Sequence, residues 1–564
     1  MKTSIKLLIA AVVICGMFLA SCAQAEPTTT TATQTSTAIQ TTTATQTTTA
    51  TQTTTATQTT TTTVAPTTPS KPEGEIIIAI PSFSQGHLDP TPADNPNTQA
   101  LLWGMFDPLI AADENGQDAP GIAERWEVSP DGMAWTFYIR KGVKFHDGSD
   151  LTGADVKFTL ERGTDSDVAT TSDSIVFRDV IDRVELIDLY TVIVRMKAPR
   201  GEFWKGITAA NGHLGAIVPK AYIEQHGDDY FNSNPMGSGP FKFVKYDFGS
   251  YLEMEALDSH WRKVPEFKTV KILAVPEEAT RVAMLKTGMV DMAQIGPDSV
   301  STVESVGLRV FSYLAGEQTA TGLYYDLQNP DDYPISDVRV RKALSLAINR
   351  EELANELFSG FAKPSAVFGA PPHIYFYDPE QLKPDPYDPE EAKRLLAEAG
   401  YPNGFSFRIY AVPWTSWMPT LNEAIGGYWE KIDVRAEITP IEYAAFRPIL
   451  APKHTEELWP SATTWRWAGV TTFQMRIPFH SKGFHKNSGN TDLDALIEQT
   501  EQELDPEKRK DLAIQTALAA QANYNMIAIL DFESLWGVSD RVGGWSPIQG
   551  VVAISMNLDS ITLP

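Results

Sequence analysis

The 43 residues from Pro120 to Arg162, PGIAERWEVSPDGMAWTFYIRKGVKFHDGSDLTGADVKFTLER, pass from strand pattern to helix pattern within one short stretch. Trp135, Phe137 and Ile139 alternate with Thr136, Tyr138 and Arg140, the period-two signature of a half-buried strand. Lys141-Gly142 turns the chain, and Val143 and Phe145 resume the alternation as a second short strand until Asp147-Gly148. Thr152 followed three residues later by Asp155 forms a capping box, so a helix starts there and is expected to stop at Gly163. This succession belongs to a mixed α/β fold.

The same reading extends along the chain. Glu75–Ile80 is a short apolar run that reads as a buried strand. Val184–Leu186 and Thr191–Met196 form a hairpin, and Asn234–Leu257 is a Gly-rich turn followed by two alternating strands. Val270–Val275, a helix after Pro276 with Val282 and Leu285 facing inward, and Val290–Ile295 make a β-α-β unit with a right-handed crossover. Ser336-Asp337 caps a helix carrying Val340, Leu344, Ala347 and Ile348 on one face, and a shorter helix from Glu351 ends at Gly360. Asp388 is an N-cap with Pro389 at the first helical position and Gly400 just past the end. A last helix over Asp505–Ala522 precedes a strand over Met526–Leu530.

The beginning of the chain obeys different rules. MKTSIKLLIAAVVICGMFLASC carries Lys2 and Lys6 before an apolar run from Leu7 to Ala20, the pattern of a secretory signal and short for a membrane span. Leu19-Ala20-Ser21-Cys22 resembles a bacterial lipobox, in which the cysteine takes a diacylglyceryl group and becomes the mature N-terminus. Ordinary cleavage after Ala23-Gln24-Ala25 is the alternative. Residues 1–22 are therefore expected as a lipoprotein signal peptide. Residues 23–72 are expected as a Thr-rich tether, in which TTTATQ occurs three times between Thr41 and Gln58. Such a segment has no apolar side chains to offset the entropy of ordering and is expected to be disordered.

Charge and cysteine count narrow the function. Of 46 basic and 71 acidic side chains, three and one precede Glu73, which leaves the rest of the chain at −27. Such a body repels phosphate backbones, so nucleic acid is excluded as an expected partner. The two cysteines, Cys15 and Cys22, both lie in the leading segment, so the body has no disulfide framework and no Cys-built metal site. No G-x-S-x-G, H-E-x-x-H, Walker A or G-x-G-x-x-G motif occurs. Nine histidines are scattered, the closest pair being His480 and His485, and they read as surface residues. Gly237-Ser238-Gly239 leads into a strand, whereas a phosphate loop needs a helix N-terminus. Asp492 and Asp494 lack the glycine and distal glutamate of a calcium loop. Aromatic residues stand out instead. Trp414, Trp417, Trp459, Trp465 and Trp467 crowd one region with Arg466 among them, and Tyr324-Tyr325 follow Gly322. Indole faces stack on sugars, peptide side chains or cations, and a guanidinium pairs with carboxylates.

The run from Gly121 to Arg162 closely resembles the signature of the large solute-binding proteins of bacterial peptide, nickel and opine ABC importers. LLWGMFDPLI from Leu101, the Gly237-Ser238-Gly239-Pro240 turn, MLKTGMVD from Met284 and DVRVRKALSLAINREELANELFSG from Asp337 resemble later segments of the same family, in order. The resemblance implies a two-lobed periplasmic-binding-protein-like fold with an extra domain inserted in the first lobe. Residues 75–110, 200–316 and 528–564 would form lobe I, 111–199 the inserted domain and 317–527 lobe II. It further implies a monomeric binding protein, not an enzyme, without cofactor or metal. Such a protein captures a ligand between its lobes outside the cytoplasm and delivers it to permease subunits in the membrane. Thr463–Gly469 and Tyr324-Tyr325 match segments that face the ligand cleft in the family. The candidate ligand contacts are accordingly Trp465, Arg466, Trp467, Tyr324, Tyr325, Trp414 and Trp417. One departure stands out. Peptide-binding members carry an Asp shortly after the Trp of this segment, where it pairs with the peptide's α-ammonium group, and here Ala468-Gly469-Val470 occupy that neighbourhood. A peptide remains the expected ligand, with an oligosaccharide or metal chelate as the alternative, and a ligand sensor without transport as a different class.

Cys22 is the one residue that the lipobox makes available for acylation. Cys22→Ala is expected to move the protein from the membrane fraction to the soluble fraction, read by fractionation with and without detergent; detergent-dependent retention of the variant would refute the anchor.

Overall fold

The structure is a computed structural model. It describes residues 71–564 except 84–86, 93–101, 170, 209–212, 326–332, 413–414, 416, 443–444, 447–448, 450–460, 469–471, 484–490 and 550–553. The expected signal segment, Cys22 and nearly all of the Thr-rich tether lie outside the described residues, as does Trp414.

One mixed sheet of eleven strands ties the body together. Its order is Val434–Pro440, Phe405–Ala411, Ser461–Ala468, Arg309–Tyr324, Met526–Val538, Met292–Ile295, Glu75–Ile80, Thr269–Ala274, Tyr251–Ala256 and Phe241–Asp247, with Ala362–Pro364 paired to Met526–Val538 off this path. Two strands are far longer than the rest, Arg309–Tyr324 with 16 residues and Met526–Val538 with 13. They run antiparallel, and their register slips between Leu314 and Glu317. The hydrophobic core changes at the same level. Tyr313, Trp536 and Val538 pack with Ile76, Ile78, Val270 and Ile272. Ile527, Ile529, Leu530 and Phe532 pack with Leu344, Leu396, Ile409 and Trp429. Along Met526–Val538 the core partners change between Phe532 and Leu535. Met526–Val538 is buried throughout except for half-buried Glu533 and Ser534, so only those two residues mark the passage.

On one side of the slip, Glu75–Ile80 pairs in parallel with both Thr269–Ala274 and Met292–Ile295. The helix Glu278–Lys286 connects those two outer strands across it, which is the β-α-β unit read from the sequence. On the other side, the helices Val338–Leu346, Arg350–Phe358 and Pro389–Glu398 cover the sheet. Their boundaries follow local chemistry. Asp388 accepts a hydrogen bond from the Glu391 N–H at 2.9 Å, and Gly400 closes the helix at φ +96°, a conformation that costs a residue with a Cβ.

The inserted segment builds its own four-stranded antiparallel sheet, ordered Ala123–Val128, Ala134–Ile139, Thr191–Met196 and Ile181–Asp188. Phe137 and Ile139 point into a third core with Val156 and Leu160 of the helix Gly153–Thr164. The capping box is present, with Asp155 accepting from the Thr152 N–H at 2.9 Å. The second short strand expected at Val143 and Phe145 is not formed. Both side chains are buried, but Gly142 and Gly148 turn at positive φ, and a single bridge joins Lys144 to Asp150. Alternation over three residues between two turns satisfied burial without a ladder partner.

The Gly237-Ser238-Gly239 turn has a packing role. A Cβ on Gly237 would lie 2.1 Å from the Met105 carbonyl oxygen, and one on Gly239 would lie 2.6 Å from that of Gly104. Gly237→Ala is therefore expected to cost about 2–4 kcal/mol, because backbone must give way. Gly427, inside the helix Met418–Glu430 with open space around it, is the opposite case. Gly427→Ala is expected to stabilise by about 0.5–1 kcal/mol. Urea unfolding of both variants checks the two signs.

Candidate functional site

The candidate site is organised around the part of Arg309–Tyr324 that lies beyond the register slip. Ser461–Ala468 pairs with it antiparallel, placing Trp467 opposite Gln318, Arg466 opposite Thr319 and Trp465 opposite Ala320. The stretch that carries both indoles and the guanidinium is therefore strand. The side chains of Trp465, Arg466 and Trp467 lie outside the described residues. On its other edge the same strand pairs Gln318 with Asp531 of Met526–Val538.

Gln318 is the hub of this level. Its amide Nε2 donates to Asp531 Oδ1 at 2.6 Å, to Ser365 Oγ at 2.9 Å and to the Val367 carbonyl at 3.2 Å. Its Oε1 accepts from the Gly369 N–H at 2.8 Å. One side chain thus joins the two long strands to the loop that follows Ala362–Pro364. Asp531 is fully buried, and that burial pushes its carboxyl up to about 7 against the lowering by Gln318, Ser365 and the Lys363 charge. The sequence reading missed this pair. Its only sign is an acid inside an otherwise apolar strand, ILDF, where an isolated charge would be costly.

The expected aromatic contacts take up different positions. Tyr324, 7% exposed, packs in a core with Phe368, Tyr410 and Phe446. Tyr325 turns to the other side, where its ring lies 5.3 Å beneath the Arg341 guanidinium and its hydroxyl donates to Asn525 Oδ1 at 3.4 Å. Neighbours in extended chain point to opposite faces, so this pair does not form one platform. Trp417 stacks on Phe532 at 4.8 Å between ring centroids and meets Phe358 edge-on at 5.2 Å. One of its faces is thus occupied by core aromatics.

The histidines also differ from expectation. His480 is 1% exposed and its Nε2 lies 3.2 Å from Glu498 Oε1. His146 lies beneath the Gly-rich turn, its Nε2 3.0 Å from the Gly239 carbonyl, and burial lowers its pKa to about 4. Periodicity cannot detect such residues because they pack from loops. Asp494 likewise has a local duty, accepting from the Ser481 N–H at 2.8 Å.

A separate cavity of about 510 Å³ lies on the other side of the slip, lined by Trp103, Trp261, Arg262, Lys263, Asp559 and Ser560 among others. None of the expected ligand contacts lines it. Asp107 supports this region, accepting from Trp261 Nε1 at 2.7 Å and Arg262 Nε at 3.1 Å. Burial opposes its ionisation, but His260, Arg262 and Trp261 together hold its pKa below the ordinary value.

Two cores joined by a pair of long antiparallel strands define a two-lobed binding fold. Residues 119–477 match the family described as bacterial extracellular solute-binding proteins, family 5 Middle. The chain belongs to that family. It is 30% identical over 340 residues to the glutathione-binding protein GsiB of Pectobacterium atrosepticum, an alignment covering 60% of this chain and 63% of that protein. The chain thus spans less than two thirds of that relative's length. It is 27% identical over 470 residues to heme-binding protein A of Haemophilus influenzae, covering 76% of this chain and 81% of that one. Among solved structures, the periplasmic binding protein DppA of Helicobacter pylori in complex with the peptide STSA superposes with a TM-score of 0.73 at 20% identity, covering 87% and 98% of the two chains.

The elevated carboxyl of Asp531 has a direct consequence for stability. A folded pKa near 7 above an unfolded value near 3.9 means that the folded state holds the extra proton between those limits. Asp531 therefore favours folding fully below pH 4, and its contribution is lost as pH rises to 7. Asp531→Asn keeps the hydrogen bond to Gln318 reachable and removes the titration. Its stability relative to the parent is expected to rise by some 3–4 kcal/mol between pH 4 and pH 7, measured by urea unfolding across that window.

Proposed function

We propose that this protein captures a small extracytoplasmic solute between its two lobes and passes it to the permease of an ABC importer, anchored to the membrane through Cys22. The observation that carries the reading is the hinge. Two strands join two separate cores, and their pairing slips between Leu314 and Glu317, where the core partners change, and again between Thr319 and Ala320; interrupted pairing is where such a strand pair bends. Lobe I comprises 75–110, 200–316 and the end of the chain, lobe II comprises 317 to about 532, and 111–199 is the inserted domain. Ligand stabilises the closed arrangement only through contacts made better there than in the open one.

The ligand class we favour is a peptide or peptide-like molecule. A relative named for glutathione and a neighbour solved with the peptide STSA support it. The relative named for heme keeps metal chelates as the second reading. The Ala468-Gly469-Val470 stretch supplies no carboxylate for an α-ammonium group. We therefore favour a ligand whose recognition does not depend on a free N-terminus. Arg466 is the residue we assign to a ligand carboxylate, and Trp465 and Trp467 are those we assign to stacking, on the chemistry of their side chains.

Mass spectrometry of small molecules released from the denatured protein tests the class. Arg466→Ala and Trp467→Ala are each expected to weaken binding by about 1–3 kcal/mol in calorimetry against glutathione, free and N-acetylated peptides, oligosaccharides and heme. Tight binding of free peptides that N-acetylation abolishes would overturn the reading of this segment.

A further inference from the structure

Charged side chains are sealed between the second lobe and a segment outside it. Arg200 and Glu202 directly follow the inserted domain, while Arg476, Glu501 and Arg509 lie on three helices of the second lobe, Thr472–Phe479, Thr491–Gln502 and Pro506–Asn523. Arg200 Nη1 donates to Glu501 Oε2, and the other oxygen of Glu501 lies 3.3 Å from Arg476 Nε. Arg509 Nε lies 3.1 Å from Glu202 Oε1. Between them, the Gly201 N–H donates to the Glu501 carbonyl at 2.8 Å. Arg200, Glu202, Glu501 and Arg509 are 8%, 4%, 4% and 6% exposed, so water does not screen them.

Each partner is held from its own side. The Arg200 carbonyl accepts from Trp135 Nε1 at 2.9 Å, within the inserted domain. Glycine is required at 201, because a Cβ there would lie 1.9 Å from the Glu503 carbonyl oxygen. Ile477 is fully buried in the core of the inserted domain, while Met475 and Phe479 of the same helix pack in the second lobe. The five charged residues named here all lie outside the two long strands.

Ion pairs suit a contact that has to open. Their charges regain hydration on separation, so a buried pair gains little over its separated, hydrated partners, whereas an apolar seam of equal size favours staying shut. The Nε atoms of Arg200, Arg476 and Arg509 also lack a well-aligned hydrogen bond among the described residues, unlike the groups of a settled core. We propose that Arg200, Glu202, Glu501 and Arg509 form a polar latch that fastens the start of the lobe I segment, where it leaves the inserted domain, to the second lobe. They are positioning residues, which set ligand affinity through the balance between joined and separated lobes. This rests on the hinge reading of the proposed function.

The test uses the full chain with Cys15 and Cys22 replaced by Ser and spin labels at Glu124→Cys and Lys393→Cys, two exposed positions on the inserted domain and the second lobe. Distances between labels are measured by pulsed electron resonance, alongside binding of glutathione. Arg200→Glu and Glu501→Arg are each expected to lengthen or broaden the distance distribution and to weaken glutathione binding at least tenfold. The double charge swap is expected to restore both. Glu501→Gln, which removes the charge with little change in shape, is expected to give an intermediate distribution should a reversal fail to fold. Distances unchanged in folded variants whose melting temperature alone falls would show a structural contact and overturn the latch. If the parent does not bind glutathione, the distance measurement still decides the latch, and only the ligand reading fails.

Discussion

Arg309–Tyr324 and Met526–Val538 pair antiparallel along most of their length, and the two halves of the body are held to each other through that pairing. A strand pair of this kind resists stretching and shearing through its ladder of hydrogen bonds, yet bends where the ladder is interrupted. The slip between Leu314 and Glu317 is such an interruption, and the cores on either side share no large side chain across it. Rigidity within each half and compliance between them follow from the same two strands.

The polar groups near this pair are arranged with the same economy. Gln318 and Asp531 face each other just past the slip and are satisfied by one another, by Ser365 and by the backbone of the following loop. A buried polar network fully satisfied in one arrangement specifies that arrangement, since a shifted register would strand a donor or a carboxyl in an apolar core. The junction between Arg200, Glu202 and the helices carrying Glu501 and Arg509 has another character. Its charges are paired but imperfectly aligned, and they meet across a boundary between cores. One network fixes the pairing of the two long strands, and the other joins Arg200 and Glu202 to helices that follow in the chain.

Much of the body was legible from local pattern. The capping box of Thr152 and Asp155, the N-caps Asp337 and Asp388, the parallel unit around Thr269–Ala274 and the inserted hairpin all sit where period and cap chemistry put them. Local rules succeed there because each feature is decided within one or two turns of chain. They failed at Val143 and Phe145, where alternation reflects burial in a turn, and at the end of Met526–Leu530, which continues to Val538 because the strand enters a second core. The histidines misled for a related reason, since His146 is half-buried and His480 buried although both sit outside helices and strands, where no periodicity describes them.

The sequence by itself determined the class of elements, their order and the resemblance that the family match bears out, since caps, periods and motif order are local properties. It also confined every cysteine to the leading segment and set the acidity of the body. Only the tertiary structure decided which residues meet. Tyr324 and Tyr325 part to opposite sides, Trp417 lies against Phe532, and Gln318 finds Asp531 some two hundred residues away in the chain. Those contacts depend on which strands become neighbours in the sheet, and that choice is made by burying the whole set of apolar faces at once, a condition no single stretch of sequence contains.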